Sequence, residues 1–201
     1  MSPELRVLRA PAETFRALAE DRPEGLYYDG SATVWTLVRR PLLLMFAMGL
    51  VLTHSSSTRV SARTALDGMI SFAFLPISEA LAVGVVYLRG DRRVPFTRVV
   101  DLFLVSNAPW LVWILLFCAW QALLTPWKMS DTTRKLLVAS MLLPAGWAAY
   151  LDLQFFRVVL SRRTPDAAID LVLARVIGWT CAIGYFFGIA LWAQIVAWVR
   201  G

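Results

Sequence analysis

Histidine, cysteine and charge are all scarce in this sequence. The 201 residues include one histidine, His54, and two cysteines, Cys118 and Cys181, and only 17% of the residues are charged. A lone histidine at the end of an apolar run is more typical of a solvated polar residue than of a cofactor ligand. Both cysteines lie inside apolar runs without CxxC spacing, which argues against a disulfide or a thiolate metal site. We therefore expect no cofactor and no metal.

Catalytic motifs are also missing. The chain has no Gly-rich phosphate loop, no HExxH, no GxSxG and no cluster of histidine with carboxylates. A membrane hydrolase or metalloenzyme needs a nucleophile with a base, or several metal ligands. The sequence thus predicts a protein that is not an enzyme, with no catalytic residues.

Apolar residues dominate what remains. They make up 58% of the chain, and the mean hydropathy is +0.61, outside the range of an ordinary soluble domain. The net charge of +6 comes from Lys and Arg in short loops between apolar runs. This distribution indicates the orientation of the chain in the membrane and does not indicate a nucleic-acid partner. The expected fold is all-α, a polytopic helical bundle in a lipid bilayer.

Five apolar runs approach or exceed the roughly 20 residues that cross a bilayer core as a helix. The expected spans are about 35–55, 65–88, 96–124, 136–160 and 169–199, within one transmembrane domain of residues 35–200. The first run, Pro41 to Thr53, is short unless its helix begins near Trp35, with Arg39 and Arg40 snorkelling towards the headgroups.

Residues 1–34 form a polar N-terminal segment without the apolar core of a signal peptide. Within it, Ala10 to Glu20 predicts a short amphipathic helix, with Pro11 near its start and Phe15 on its apolar face. This helix either lies on the membrane surface or packs under the bundle. With five spans, the inner segments carry 13 Lys and Arg against 6 outside, which favours a cytoplasmic N-terminus.

Several polar side chains fall inside the predicted spans. A turn centred between Arg92 and Arg93 places Glu79 level with Ser106 and next to Asn107. These three residues form a candidate polar cluster near the middle of the membrane. A carboxylate at that depth is either protonated or held by donors such as Asn107 and Ser106.

The last two spans, treated as a hairpin, give two candidate ion pairs. Asp152 is level with Arg175, and Arg157 is level with Asp170. Buried charges in membrane spans occur in ion pairs that only stabilise the structure and also in pathways for protons or ions. The sequence is compatible with both interpretations.

Prolines and small residues recur within the spans. Pro76, Pro109 and Pro144 interrupt three successive spans, which indicates either kinked packing or a broken-helix site of the transporter kind. In the fifth span, Thr180, Gly184 and Gly188 form a small-residue stripe. Such a stripe lets another helix approach closely, from this chain or from another protein.

The layout resembles the Yip-type (Ypt-interacting) family of small five-span membrane proteins. The segment Ala10-Pro-Ala-Glu-Thr-Phe15 resembles the N-terminal segment of bacterial members, and Pro95-Phe-Thr-Arg-Val99, leading to Asn107-Ala-Pro109, resembles the start of their third span. Phe156-Arg157 followed by Ser161-Arg-Arg-Thr-Pro-Asp-Ala-Ala168 resembles their connection between the fourth and fifth spans. The resemblance implies a location in the bacterial inner membrane.

The eukaryotic Asp-Leu-Tyr-Gly-Pro motif is absent, and the nearest string is Gly25-Leu-Tyr-Tyr-Asp-Gly30. The resemblance therefore gives no support to a GTPase partner. The main hypothesis from the sequence is a scaffold or accessory subunit that associates with other membrane proteins. The alternative is a small transporter or channel component that uses the mid-membrane polar site. Homo-oligomers fit either hypothesis.

Overall fold

Helices form all the regular structure in the described part of the chain. The computed structural model describes residues 3–20, 35, 38–49, 62–90, 93–123 and 131–200. The helices are α1 (Pro3–Val7), α2 (Pro11–Glu20), α3 (38–49), α4 (Ala62–Ser71), α5 (Phe74–Leu88), α6 (Phe96–Leu104), a 3-10 turn (Val105–Asn107), α7 (Ala108–Leu123), α8 (Asp131–Ser140), α9 (Leu142–Val158) and α10 (Thr164–Arg200). The predicted all-α class is confirmed.

Four helical stretches of the described chain are long and apolar enough to cross a membrane. They are Ala65–Leu88, Phe96–Trp120, Lys135–Val158 and Thr164–Gly188, and they correspond to the second to fifth predicted spans. The predicted first span, 35–55, lies partly outside the described residues. Its described helix α3 extends only about 18 Å, at ~1.5 Å per residue, against a hydrocarbon core of ~30 Å. The structure therefore supports a membrane bundle with four spans.

The bundle is organised around α9. This helix contacts α2, α7 and α10, while α5 lies between α6 and α10. Its aromatic side chains form the centre of the core, where the ring centroids of Phe155 and Phe103 are 5.3 Å apart and Phe156 is fully buried. By contrast, large apolar side chains on the outer faces are exposed, for example Leu143 at 77% and Phe187 at 66%. An apolar surface of this kind suits contact with lipid.

The amphipathic helix α2 packs under the bundle, so the structure selects one of the two placements left open by the sequence. Phe15 is fully buried, and its ring centroid lies 5.8 Å from that of Phe155 on α9. Val7 of α1 joins the same core. Helix α1 also contacts the 3-10 turn Val105–Asn107 and α7, so α1 and α2 both belong to the packed core of the bundle.

Helices α3 and α4 cross in direct backbone contact at two glycines. A Cβ atom at Gly49 would lie 2.7 Å from the carbonyl oxygen of Ala65, and one at Gly68 would lie 2.8 Å from the Cα of Gly49. Only glycine fits at both positions of this crossing. Close packing through small residues therefore occurs here, at a place that the sequence analysis did not identify.

Candidate functional site

Three of the spans are broken helices, and each break precedes a proline. α4 ends at Ser71 and α5 begins at Phe74, two residues before Pro76. The 3-10 turn Val105–Asn107 separates α6 from α7 just before Pro109, and Met141 separates α8 from α9 before Pro144. Proline lacks the backbone N–H and its ring clashes with the carbonyl of residue i−4, so the helix is interrupted on its N-terminal side.

A serine lies beside each break and donates to a backbone carbonyl of the preceding turn. The hydroxyl groups of Ser71, Ser106 and Ser140 donate to the carbonyl oxygens three or four residues earlier, at 2.8, 2.6 and 2.7 Å respectively. Such bonds satisfy carbonyl groups in a part of the helix where the regular pattern is interrupted. The breaks are therefore supported by local hydrogen bonds.

The three breaks meet at a cavity of about 360 Å³, which we call the intramembrane cavity. Leu75, Asn107 and Met141 line it, one from beside each break. Most of the remaining wall is apolar; the polar side chains in it are Ser78, Glu79, Asn107, Asp152 and Arg175. A mostly apolar cavity with a few convergent polar groups is the usual form of a ligand site.

Glu79 projects from α5 into this cavity. The Nδ2 of Asn107 donates to its Oε2 at 2.7 Å, which joins the second and third spans at the depth expected from the central hairpin. This is the one hydrogen bond or ion pair that the described residues make to the Glu79 carboxylate. A carboxylate with a single neutral donor is incompletely compensated in an apolar setting.

Asp152 of α9 forms the second polar group of the cavity. Nη2 of Arg175 donates to its Oδ2, and the hydroxyl oxygen of Ser106 lies 2.5 Å from its Oδ1. The single Ser106 proton is therefore shared between Asp152 and the carbonyl oxygen of Phe103. Asp152 and Arg175, placed at equal depth by the sequence, are thus in contact. Ser106, however, was assigned to the Glu79 cluster, and the structure instead places its hydroxyl on Asp152.

The predicted pair of Arg157 and Asp170 is wrong. Asp170 lies 2.9 Å from Nε of Arg162 and 3.1 Å from Nη1 of Arg89, while Arg157 is exposed on another face of α9. Counting along a hairpin gives the depth of a residue but not the direction in which its side chain points. Asp170 instead faces α5, which is the main neighbour of α10.

The sequence did not predict a buried cluster of charged residues around Asp101. Asp101 is 1% exposed and accepts from Nη1 of Arg40 and from Nη1 of Arg98, the latter at 3.3 Å, while Nη2 of Arg39 lies 3.8 Å away. Arg40 is buried, so the expectation that it snorkels towards the headgroups is wrong. The available signal was Arg98, which lies three residues before Asp101 and therefore on the same helix face. The cluster attaches α3 to α6.

The small-residue stripe of α10 is not covered by the described chain. A Cβ atom at Gly184 or Gly188 would have no atom of the described residues within 4 Å outside its own helix. Thr180 is exposed and its hydroxyl donates to the carbonyl of Val176 in the same helix. The intramolecular role considered for this stripe is therefore absent from the described part of the structure.

Potential metal ligands and thiols are dispersed over the described part of the chain. Within the described residues, no group of three or more His, Cys, Asp and Glu side chains is placed to hold a metal ion. Cys118 and Cys181 are free thiols, and His54 lies outside the described residues.

Comparison of the chain with known proteins gives no match to a protein-family model, to a curated protein or to a solved structure.

Proposed function

We propose that the protein is a non-enzymatic component of a small membrane transporter or channel that binds a proton or a monovalent cation at Glu79. The observation that carries this proposal is the charge balance of the intramembrane cavity. Its described lining holds two carboxylates, Glu79 and Asp152, and one cation, Arg175, which is bonded to Asp152. One negative charge is left at Glu79, and a bound proton or cation would neutralise it.

The broken helices support the same proposal. Transporter sites commonly lie near the middle of the membrane, where helices are interrupted and their backbone lines a cavity. Here the breaks before Pro76, Pro109 and Pro144 all contribute to the cavity wall. The hinge at each break gives the wall the freedom to change shape while the helices on either side stay intact.

We also propose a five-span topology with a cytoplasmic N-terminus in the bacterial inner membrane. The excess of Lys and Arg in the inner segments supports the orientation, and the Yip-type resemblance supports the location. In this arrangement the first span is the predicted 35–55, of which the structure describes residues 35 and 38–49.

Cation binding can be tested with the purified protein in a neutral detergent. Thermal unfolding is measured in sodium, potassium or N-methylglucamine chloride at equal ionic strength, over a range of pH. A bound cation stabilises the folded state by about 2.7 kcal/mol at a hundred times its dissociation constant. We expect wild type to respond to cation or pH and Glu79→Gln to lose that response.

Asp67→Asn is the matched control, since Asp67 is an exposed carboxylate on the preceding helix and is not part of the cavity wall. Reconstituted vesicles with a trapped pH dye provide a second measurement, in which Glu79→Gln should abolish cation- or proton-coupled flux. A response that persists unchanged in Glu79→Gln would refute the proposal.

The hypothesis of association with another membrane protein is favoured by a separate observation, the open face of α10 at Gly184 and Gly188. The occupant would be a single transmembrane helix of a partner, since small residues admit a helix backbone. Gly184→Leu should remove a stoichiometric partner from the mildly solubilised complex, while Gly146→Leu on the open face of α9 should not. Purification of the protein without a partner from wild type and from both variants would exclude this function.

A further inference from the structure

Five arginines surround a second concavity, separate from the intramembrane cavity. The concavity has a volume of about 800 Å³ and is open at the surface. We call it the arginine pocket, and it is lined by Arg16, Arg93, Arg157, Arg162 and Arg163. These arginines come from α2, from the turn before α6, from the end of α9 and from the turn before α10. Glu20 is the one carboxylate in its described lining.

Three of the arginines are available to a ligand. Arg16, Arg157 and Arg163 are exposed, and no carboxylate of the described chain lies within 4 Å of their guanidinium groups. Arg162 is held in place instead, with Nε 2.9 Å from Asp170 and its guanidinium packed over Gly90. The pocket thus combines a fixed cationic wall with free donors.

The floor of the pocket adds an uncharged polar group. Gln154 is only 9% exposed, and its side-chain amide makes no hydrogen bond with the described residues. The amide lines the open pocket, where its N–H groups can donate to a bound ligand with acceptor oxygens. Val94, Val158 and Val159 line the apolar part of the wall.

The positive-inside tendency accounts for arginines in cytoplasmic loops, but not for their convergence on one concavity from four chain segments. Arginine matches phosphate oxygens through paired N–H groups, and basic pockets beside membrane helices bind lipid headgroups. Arg157 lies at the end of the span Lys135–Val158, which puts the pocket at headgroup depth. From this geometry we propose that the arginine pocket binds a phosphate-bearing anion.

The test uses the full chain purified in neutral detergent, with thermal unfolding as the readout at constant ionic strength set by chloride. One arm titrates inorganic phosphate and pyrophosphate. The other titrates phosphatidic acid, with phosphatidylcholine as the neutral lipid. Stabilisation by phosphatidic acid alone identifies a lipid headgroup, and stabilisation by the soluble anions identifies a free phosphate compound.

The variant is Arg157→Gln with Arg163→Gln, because neither side chain has a carboxylate partner among the described residues. The control removes the same charge elsewhere, by Arg9→Gln with Arg63→Gln, both exposed and outside the pocket. We expect affinity for the stabilising anion to fall at least tenfold in the variant and to stay unchanged in the control. The proposal is overturned if no anion stabilises wild type, if the variant responds like wild type, or if the control loses as much affinity.

Discussion

At the scale of single residues, the four carboxylates that reach into the bundle differ in how fully they are paired. Asp101 has three arginines within 4 Å, Asp170 has two, and Asp152 has one arginine and a serine hydroxyl. Among the described residues, Glu79 accepts a hydrogen bond only from the amide of Asn107. A structural role is enough to explain the presence of paired charges inside the bundle. It does not explain an incompletely compensated carboxylate in a cavity. This difference separates Glu79 from the other three residues as the candidate for function.

The pair of Asp152 and Arg175 should respond unequally to removal of its two members. Asp152 is 1% exposed, whereas the Arg175 side chain is 41% exposed. Arg175→Ala would leave a buried carboxylate without its cation and should cost about 3–5 kcal/mol. Asp152→Ala would leave an arginine that can reach the cavity and should cost about 1–2 kcal/mol.

Denaturant unfolding in mixed micelles measures both values, and the double variant should be less destabilised than the sum of the two single variants. Equal costs for the two single variants, with strict additivity in the double one, would show that the two side chains do not act as a unit.

Removal of Asp101 should be among the most destabilising changes in the chain. Its carboxylate is fully buried and compensates Arg40, which is 8% exposed, and Arg98. Asp101→Ala should cost on the order of 3–5 kcal/mol because it removes the carboxylate that these buried guanidinium groups contact. Asp67→Ala, at an exposed carboxylate, should change the unfolding free energy by less than about 0.5 kcal/mol. A similar stability for both variants would contradict the assigned role of the Asp101 cluster.

At the scale of the helices, the crossing of α3 and α4 depends on two glycines. Gly49→Ala or Gly68→Ala places a methyl group within 3 Å of backbone atoms, and overpacking of this kind should cost about 1–3 kcal/mol. Gly146→Ala is the control, since nothing of the described chain lies within 4 Å of its added Cβ. There the better helix propensity of alanine should stabilise by up to about 1 kcal/mol. The same substitution should therefore lower the free energy of unfolding at Gly49 and Gly68 and raise it at Gly146. Equal changes at the three sites would place the helix crossing elsewhere.

The helix breaks and the depth of the polar residues could be predicted from the sequence, because both depend on a single helix or on one short turn. Proline acts on its own preceding turn, and a tight hairpin relates residues such as Glu79 and Asn107 by counting. The partners of Asp170 could not be predicted from the sequence, because Arg89 directly follows α5 and Arg162 lies in the turn before α10. Counting along α9 and α10 gives the depth of each residue but not the direction of its side chain. The Gly49–Gly68 crossing was missed for a similar reason: a single glycine per helix carries no spacing signal.

At the scale of the whole molecule, α9 connects the two candidate sites. Asp152 faces the intramembrane cavity, while Gln154 and Arg157 face the arginine pocket. Side chains two residues apart on a helix point to nearly opposite sides, so the sites occupy different faces of α9. Variants in one site should therefore leave ligand affinity at the other unchanged unless the helix itself moves. Coupled changes would indicate that α9 transmits a rearrangement between the pocket and the cavity.

The topology of the chain decides whether α3 belongs to a complete span. Four spans place both termini on the same side of the membrane, whereas a fifth span through residues 35–55 places them on opposite sides. The charge distribution favours the second arrangement, with the N-terminus in the cytoplasm. Reporter fusions before Met1 and after Gly201 should therefore report opposite compartments.

A thiol probe tests the same topology without a fusion partner. In a background with Cys118 and Cys181 replaced by serine, Ser56→Cys should react with a membrane-impermeant maleimide added from outside intact cells. Ser2→Cys should react only after the cells are opened, because it precedes the first span on the cytoplasmic side. If the two positions are labelled from the same side, α3 does not cross, and the Arg40–Asp101 contact would then hold a re-entrant or interfacial helix against a four-span bundle.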